Sequence, residues 1–347
     1  MIRFNNDYSK GAHPAVLDAL LHTNTQMFEA YGLDDPSREA ADLLRAEAGC
    51  PDADVHFPVG GTQANLLVIS AALRTYQSVL AADTSHIHCH ETGAAEATGH
   101  KIELLPATDG KIRASQIRDA AEAYRTSPIP EHITQPGMVY LSFPTEYGTL
   151  YSKSELSEIS EVCRAYALYL FVDGARMAYG LGCPANDLTL QDFAVLTDAF
   201  TVGGTKCGAL FGEAIVLTHP LLKKDFRAVI KQHGAMLAKG WLSGLQFSAL
   251  LRDGLYVRLG ARACRMADDV REALKEKGLE FCPFNPTNQI FVLLSGAQRA
   301  ALEKQFVLEP EGTVEDGRHL VRICTAWYTE EDDLRALKEA IRALPET

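Results

Sequence analysis

Tyr169-Leu170-Phe171-Val172-Asp173-Gly174-Ala175-Arg176 and Ala199-Phe200-Thr201-Val202-Gly203-Gly204-Thr205-Lys206 are two stretches built alike. Each is a short apolar run, as a strand buried on both faces requires, and each breaks at once into small residues carrying a charged side chain. A carboxylate that closes an apolar strand is costly unless a cation or donors meet it. Arg176, three residues on, is the plain structural partner for Asp173; a protonated ring nitrogen of a bound ligand is the functional one. Lys206 lies between small residues with little room to reach water, so its amine is a candidate desolvated nucleophile. The bland alternative is an exposed loop lysine. It loses ground because Lys206 follows Asp173 by 33 residues, about one strand–helix–strand unit.

Outward from these stretches the same alternation continues. Helices are expected over 13–22, 63–76, 115–124 and 153–166, and strands over 78–82, 101–105, 139–143, 198–202 and 214–217. That order predicts an α/β fold with a mainly parallel sheet and helices on both faces. Past residue 243 the pattern changes. A long helix through 266–277 precedes strands over 289–294 and 319–324 and a last helix from Thr329 to about Leu344. The expected organisation is a large domain over 1–245, N-terminal segment included, and a small α+β domain over 246–347.

A third site of interest is Gly60-Gly61-Thr62-Gln63-Ala64-Asn65, directly before an apolar helix. Two glycines admit an anion close to the backbone, and the helix N-terminus offers free N–H groups and a positive dipole end. A plain tight turn capped by Thr62 is the rival reading. Neither G-x-G-x-x-G nor G-x-x-x-x-G-K-[ST] occurs, so a small phosphate suits this loop better than a dinucleotide.

Composition bounds the partners. With 33 Lys+Arg against 45 Asp+Glu, the chain carries a formal charge of −12, which argues against a nucleic-acid-binding face. The eight cysteines form no C-x-x-C pair and read as reduced. The first residues hold no apolar leader and no run of 18 apolar residues occurs, so a cytoplasmic protein without a membrane span is expected. His86-Ile87-His88-Cys89-His90 invites a metal, since a strand would put its three imidazoles on one face. Glu91 would then fall on the other face and no further ligand completes the set, so no metal is assigned.

Taken together, Gly-Gly-Thr before a helix, strand-Asp173-x-x-Arg176 and strand-Gly-Thr205-Lys206 resemble fold-type-I pyridoxal-phosphate (PLP) enzymes. Asn6-Asp7-Tyr8, Tyr31-Gly32, His86 with Glu91-x-Gly93-Ala94, and Arg322 in Leu320-Val321-Arg322-Ile323-Cys324 narrow this to the low-specificity L-threonine aldolase branch of the β-eliminating lyases. The resemblance spans nearly the whole chain. It implies cleavage of the Cα–Cβ bond of β-hydroxy amino acids, giving glycine and an aldehyde, on PLP carried by Lys206 as a Schiff base. His86 would stack on the ring, Asp173 would hold its nitrogen, and Gly61 and Thr62 would bind the phosphate. Asn6, Arg176 and Arg322 would hold the substrate carboxylate, a task that a guanidinium fork suits. β-Elimination, transamination or PLP binding without turnover would use the same scaffold.

The resemblance also implies a homodimer or homotetramer with sites at subunit interfaces and Tyr31 near the neighbour's site. Two positions depart from the family pattern. Where the family carries a second active-site histidine, this chain has Glu146 in Pro144-Thr145-Glu146-Tyr147-Gly148, so the catalytic base is expected near His86 or Glu146, with Glu146 acting directly or by orienting a water. Leu237 stands where the family lends a phosphate-binding arginine across the interface, leaving Lys231 or Lys239 as substitutes.

Overall fold

In a computed structural model that describes residues 1–346, the strands are β1 (Ile2–Arg3), β2 (Asp54–His56), β3 (Gln77–Ala82), β4 (Lys101–Leu105), β5 (Gln135–Ser142) and β6 (Tyr169–Asp173). They continue with β7 (Ala199–Gly203), β8 (Glu213–Leu217), β9 (Gln289–Leu294), β10 (Phe306–Val307), β11 (Glu309–Thr313) and β12 (His319–Cys324). The central sheet has the order β2-β8-β7-β6-β5-β3-β4. Its strands β7, β6, β5, β3 and β4 run parallel; β8 joins β7 antiparallel, and the edge strand β2, antiparallel to β8, runs with the other five again. This is the mainly parallel α/β sheet that the alternating pattern predicts.

Period two explains how the sheet is covered. Leu80, Val139, Leu141, Val172 and Val202 face one core, and their neighbours Val79, Ala81, Met138, Tyr140 and Phe171 face the other. Helices Asp35–Glu47 and Lys153–Ala165 start where Asp34 and Ser152 accept from the backbone N–H groups of Ser37 and Glu155. The first of these helices was not foreseen, nor were the short strands β1, β2, β10 and β11.

A second core begins at Met266, inside helix Leu255–Glu276, and packs under β9, β12 and helix Glu331–Arg342. The expected boundary at 245/246 therefore falls within helix Trp241–Leu251, whose Phe247, Leu250 and Leu251 belong to the first core. Composition changes near residue 243, but one long helix serves both cores, so the handover comes later than any sequence break. The N-terminal arm also differs from expectation. β1 pairs with β10, and Phe4 lies in the second core.

Two local expectations change as well. His86–Cys89 forms a single helical turn rather than a strand, so His88 leaves the face that His86 and His90, with ring centroids 5.4 Å apart, still share. Glu330 takes the N-cap position of the last helix without a side-chain cap bond; the Thr329 hydroxyl instead accepts from the Ala326 N–H.

Candidate active site

Ligand sites in open α/β sheets lie beyond the carboxyl ends of the parallel strands. Four adjacent strands meet that condition here: β3 leads to His86, β5 to Glu146, β6 ends on Asp173, and β7 leads to Lys206. All four side chains line one cavity of about 240 Å3, together with Gly60, Gly61, Thr62 and Arg176. A larger cleft of about 790 Å3 shares His86, Glu146, Arg176 and Lys206 with it, and extends past Tyr8, His90, Tyr147 and Phe291 to Arg322. The sequence-derived set thus converges on one place, with Asn6 at its margin. Asn6 lines neither space; its side-chain carbonyl accepts from the Tyr8 N–H at 3.1 Å and the Ser9 hydroxyl at 2.8 Å.

Asp173 is 5% exposed and well supplied with donors. Its Oδ2 accepts from the Tyr140 hydroxyl at 2.7 Å and from Asn65 Nδ2 at 3.1 Å, and its Oδ1 from the Ala175 N–H at 2.9 Å. Burial pushes its pKa up, but the charge of His86, the two donors and the nearby Lys206 outweigh it and hold the carboxyl below its ordinary range. A buried carboxylate held in its ionised form is what a pyridinium nitrogen needs opposite it. Arg176 is not its partner.

Arg176 instead grips Asp7, with Nε to Oδ2 at 2.7 Å and Nη2 to Oδ1 at 3.1 Å. Asp7 is fully buried and also accepts from Asn288 Nδ2 at 3.0 Å. Burial opposes its ionisation, yet the Arg176 guanidinium dominates and keeps its pKa low. Two faces of the guanidinium fork are therefore committed to the N-terminal arm. On the far side of the cleft, Arg322 Nη1 lies 3.2 Å from Glu311, and its Nη2 donates to the Asn5 carbonyl at 3.2 Å. Its Nε is buried with no partner.

His86 opens the helical turn after β3, and its Nδ1 lies 2.7 Å from Glu91 Oε1. Glu91 therefore does not point away, as a strand would have required; the helical turn brings it back to the ring. Asn65 Nδ2 bridges Glu91 Oε1 at 2.8 Å and Asp173, which ties the helix after Gly60 to both anions. Glu146 Oε1 accepts from the His86 N–H at 2.8 Å and from the Ser142 hydroxyl at 2.5 Å. Burial raises its pKa against those donors.

The Gly60–Thr62 loop behaves as an anion cradle should. Helix Gly61–Ala72 starts there with no side-chain cap, and an added Cβ at Gly60 or Gly61 would meet nothing within 4 Å. Open backbone N–H groups, an ionised aspartate, an imidazole and a recessed lysine fit a phosphate-bearing pyridine aldehyde, and pyridoxal phosphate is the cofactor this site takes.

Several members escaped the sequence reading. Tyr140 and Ser142 gave no signal beyond a polar atom within an otherwise apolar run, and Asn288 none within the polar stretch Asn285-Pro286-Thr287-Asn288-Gln289. Asp7, Asn65 and Glu91 sat inside recognised motifs without an assigned role. Glu213, which also lines the smaller cavity, did give one: it is a carboxylate that opens an apolar strand, as Asp173 closes one.

Comparison with known proteins agrees with this geometry. The model of the beta-eliminating lyase family matches residues 8–297. The low-specificity L-threonine aldolase of Pseudomonas sp. (strain NCIMB 10558) is 30% identical over 354 aligned positions, covering 99% of this chain and 97% of its own. The structure of the threonine aldolase from Leishmania major superposes with a TM-score of 0.96 at 43% identity, covering 99% of each chain. Aspartate aminotransferase from Thermus thermophilus, at 16% identity and a TM-score of 0.72, covers 99% of this chain and 91% of its own, and shares the fold alone.

Proposed function

This chain belongs to the beta-eliminating lyase family, and from that premise we propose that it cleaves threonine or allo-threonine, and related β-hydroxy amino acids, to glycine and an aldehyde. The observation that carries the reading is the meeting of His86, Glu146, Asp173 and Lys206 from four adjacent strand ends in one cavity.

Lys206 would hold the cofactor through Nζ, Gly61 and Thr62 would take its phosphate, Asp173 its ring nitrogen, and His86 its ring face. Once bound, pyridoxal phosphate supplies an electron sink for the pair left on Cα when the Cα–Cβ bond breaks. The chain's own residues do the rest. Arg322 binds the substrate carboxylate by exchanging Glu311 for it, and Arg176 adds the part of its guanidinium that Asp7 leaves free. Glu146 Oε1, already oriented by the His86 N–H and the Ser142 hydroxyl, takes the proton of the β-hydroxyl. His86, fixed by Glu91, keeps its ring in one orientation throughout.

Assembly as a homodimer or homotetramer completes the proposal. Leu21, Met27 and Tyr31 are 75%, 99% and 45% exposed along one N-terminal stretch, apolar side chains that a neighbouring subunit would cover. In this reading the partner's Lys231 or Lys239 serves the phosphate, and the protein works in the cytoplasm. Among the described residues no helix is long and apolar enough to cross a membrane.

Borohydride reduction of the yellow protein, followed by peptide mapping, is expected to place a pyridoxyl group on Lys206. Incubation with threonine, allo-threonine and serine is expected to release glycine, with light scattering above the monomer mass. Pyruvate with ammonia, or cofactor left in the amine form, would overturn the aldolase reading.

A further inference from the structure

Glu213 is 3% exposed, its Oε2 has no hydrogen-bond partner, and it lines the same cavity as Lys206 and the Gly60–Thr62 loop. Nothing in the mechanism above uses it. Its position is defined by the backbone. In the antiparallel register Glu213 stands opposite Gly203, and its N–H donates at 3.0 Å to the carbonyl of Pro58, at the root of the glycine loop. Thr205, between Gly203 and Lys206, exchanges bonds with Gly212 through its hydroxyl and its N–H. The carboxyl therefore sits between the lysine turn and the anion cradle.

An ionised carboxylate there would oppose any phosphate dianion, because the cations in this cavity are few. Within one protomer, Arg176 is committed to Asp7 and His86 is paired with Glu91, leaving Lys206 as the cation that acts on Glu213. The groups that bear on Glu213 are Lys206 and Thr205 on the lysine turn, Cys207 beyond it, Asp173 on β6 and Tyr256 on helix Leu255–Glu276. Only Lys206 among them favours the ionised form by charge, and Asp173 opposes it.

We propose that Glu213 is the proton-carrying wall of the phosphate site: in the loaded protein it is neutral and donates to a phosphate oxygen, and where the empty site holds it ionised it takes a proton from solvent as the cofactor enters. The inference rests on the cofactor reading above. Burial, with Asp173 adding and Lys206 opposing, raises the Glu213 carboxyl to about 8, so the proton is already present in mildly acidic solution and must be acquired in alkaline solution. Cofactor affinity should then fall above that pH, by about tenfold per unit for one linked proton.

The test is a titration of apoprotein with pyridoxal phosphate between pH 6.5 and 9.5, for wild type and E213Q. Glutamine keeps the shape and a donor but cannot ionise. Wild type is expected to lose affinity in the alkaline range relative to E213Q, with the two close at pH 6.5. Pyridoxal, which lacks the phosphate, is expected to show no such difference. Calorimetry of wild type alone, in two buffers of different ionisation enthalpy, should register extra proton uptake at pH 9 over pH 6.5 with the phosphate ester and not with pyridoxal. Parallel pH curves for the two proteins, or an equal effect with pyridoxal, would remove Glu213 from the phosphate site. Borohydride trapping at Lys206 tells the two failures apart: an adduct with parallel curves defeats the Glu213 role alone, and no adduct defeats the cofactor reading.

Discussion

In the proposed reaction Glu146 does the work that the family resemblance assigns to a histidine, and a carboxyl can do it well only if its proton affinity is raised. Burial does this, against the Ser142 hydroxyl and the His86 N–H that favour the charged form. The active base is the ionised form, so turnover should fall as pH drops through its raised pKa, at higher pH than an exposed glutamate would give. E146Q should lower kcat by roughly 10²–10⁴-fold, the usual range for general base catalysis, and abolish that acid limb. The cofactor absorbance should be unchanged. A rate equal to wild type in steady-state assays would remove Glu146 from the reaction. Asp173 and Asp7 behave oppositely, because their folded pKa values are depressed. The stability they contribute is present near neutral pH and is lost as pH falls through those depressed values.

The elements bring these side chains together through close backbone approach between strand ends. A Cβ at Gly174 would lie 2.0 Å from the Thr201 carbonyl, and one at Gly203 would lie 2.3 Å from that of Ala175. Both obstacles are backbone and cannot yield without parting β6 from β7, the two strands that present Asp173 and Lys206. Gly174→Ala should therefore cost at least about 1–3 kcal/mol, as overpacking does, and weaken cofactor retention with it. Gly60→Ala is the contrasting case. Its new methyl meets no atom within 4 Å, so the melting temperature should hold while affinity for pyridoxal phosphate drops, because the methyl enters the cradle. Thermal melts and cofactor titrations on both variants distinguish the two glycines; equal losses of stability would contradict this account.

At the scale of the molecule, the N-terminal arm joins the two cores at the site. β1 pairs with β10, the Phe4 carbonyl accepts from the Cys324 N–H at 2.7 Å, the Asn5 carbonyl accepts from Arg322, and Asp7 holds Arg176. One short segment thus touches both arginines proposed for the substrate carboxylate. Asp7→Ala would strand a guanidinium whose side chain is 14% exposed, and breaking such a pair costs about 3–5 kcal/mol. We expect reduced denaturant stability and a raised KM for the amino acid, with Lys206 still trapped by borohydride. Wild-type KM in a folded Asp7→Ala protein would show that Arg176 needs no such support.

Short-range chemistry was legible in the chain itself. Apolar runs ending near Asp173 and Lys206 and the glycine pair before a helix specified a mainly parallel α/β sheet, because strand burial and helix starts depend on neighbours a few residues apart. The PLP site was legible only through the family resemblance that the order of these motifs carries. Pairings between distant segments were not legible. Arg176 chose Asp7 over the nearby Asp173, Glu91 came round to His86 because a helical turn replaced a strand, and Glu213 reached the cavity through a hairpin edge. The second core began inside a helix that had no break in its sequence. Each of these outcomes depends on which backbone segments lie side by side, and that arrangement exists only once the sheet has formed.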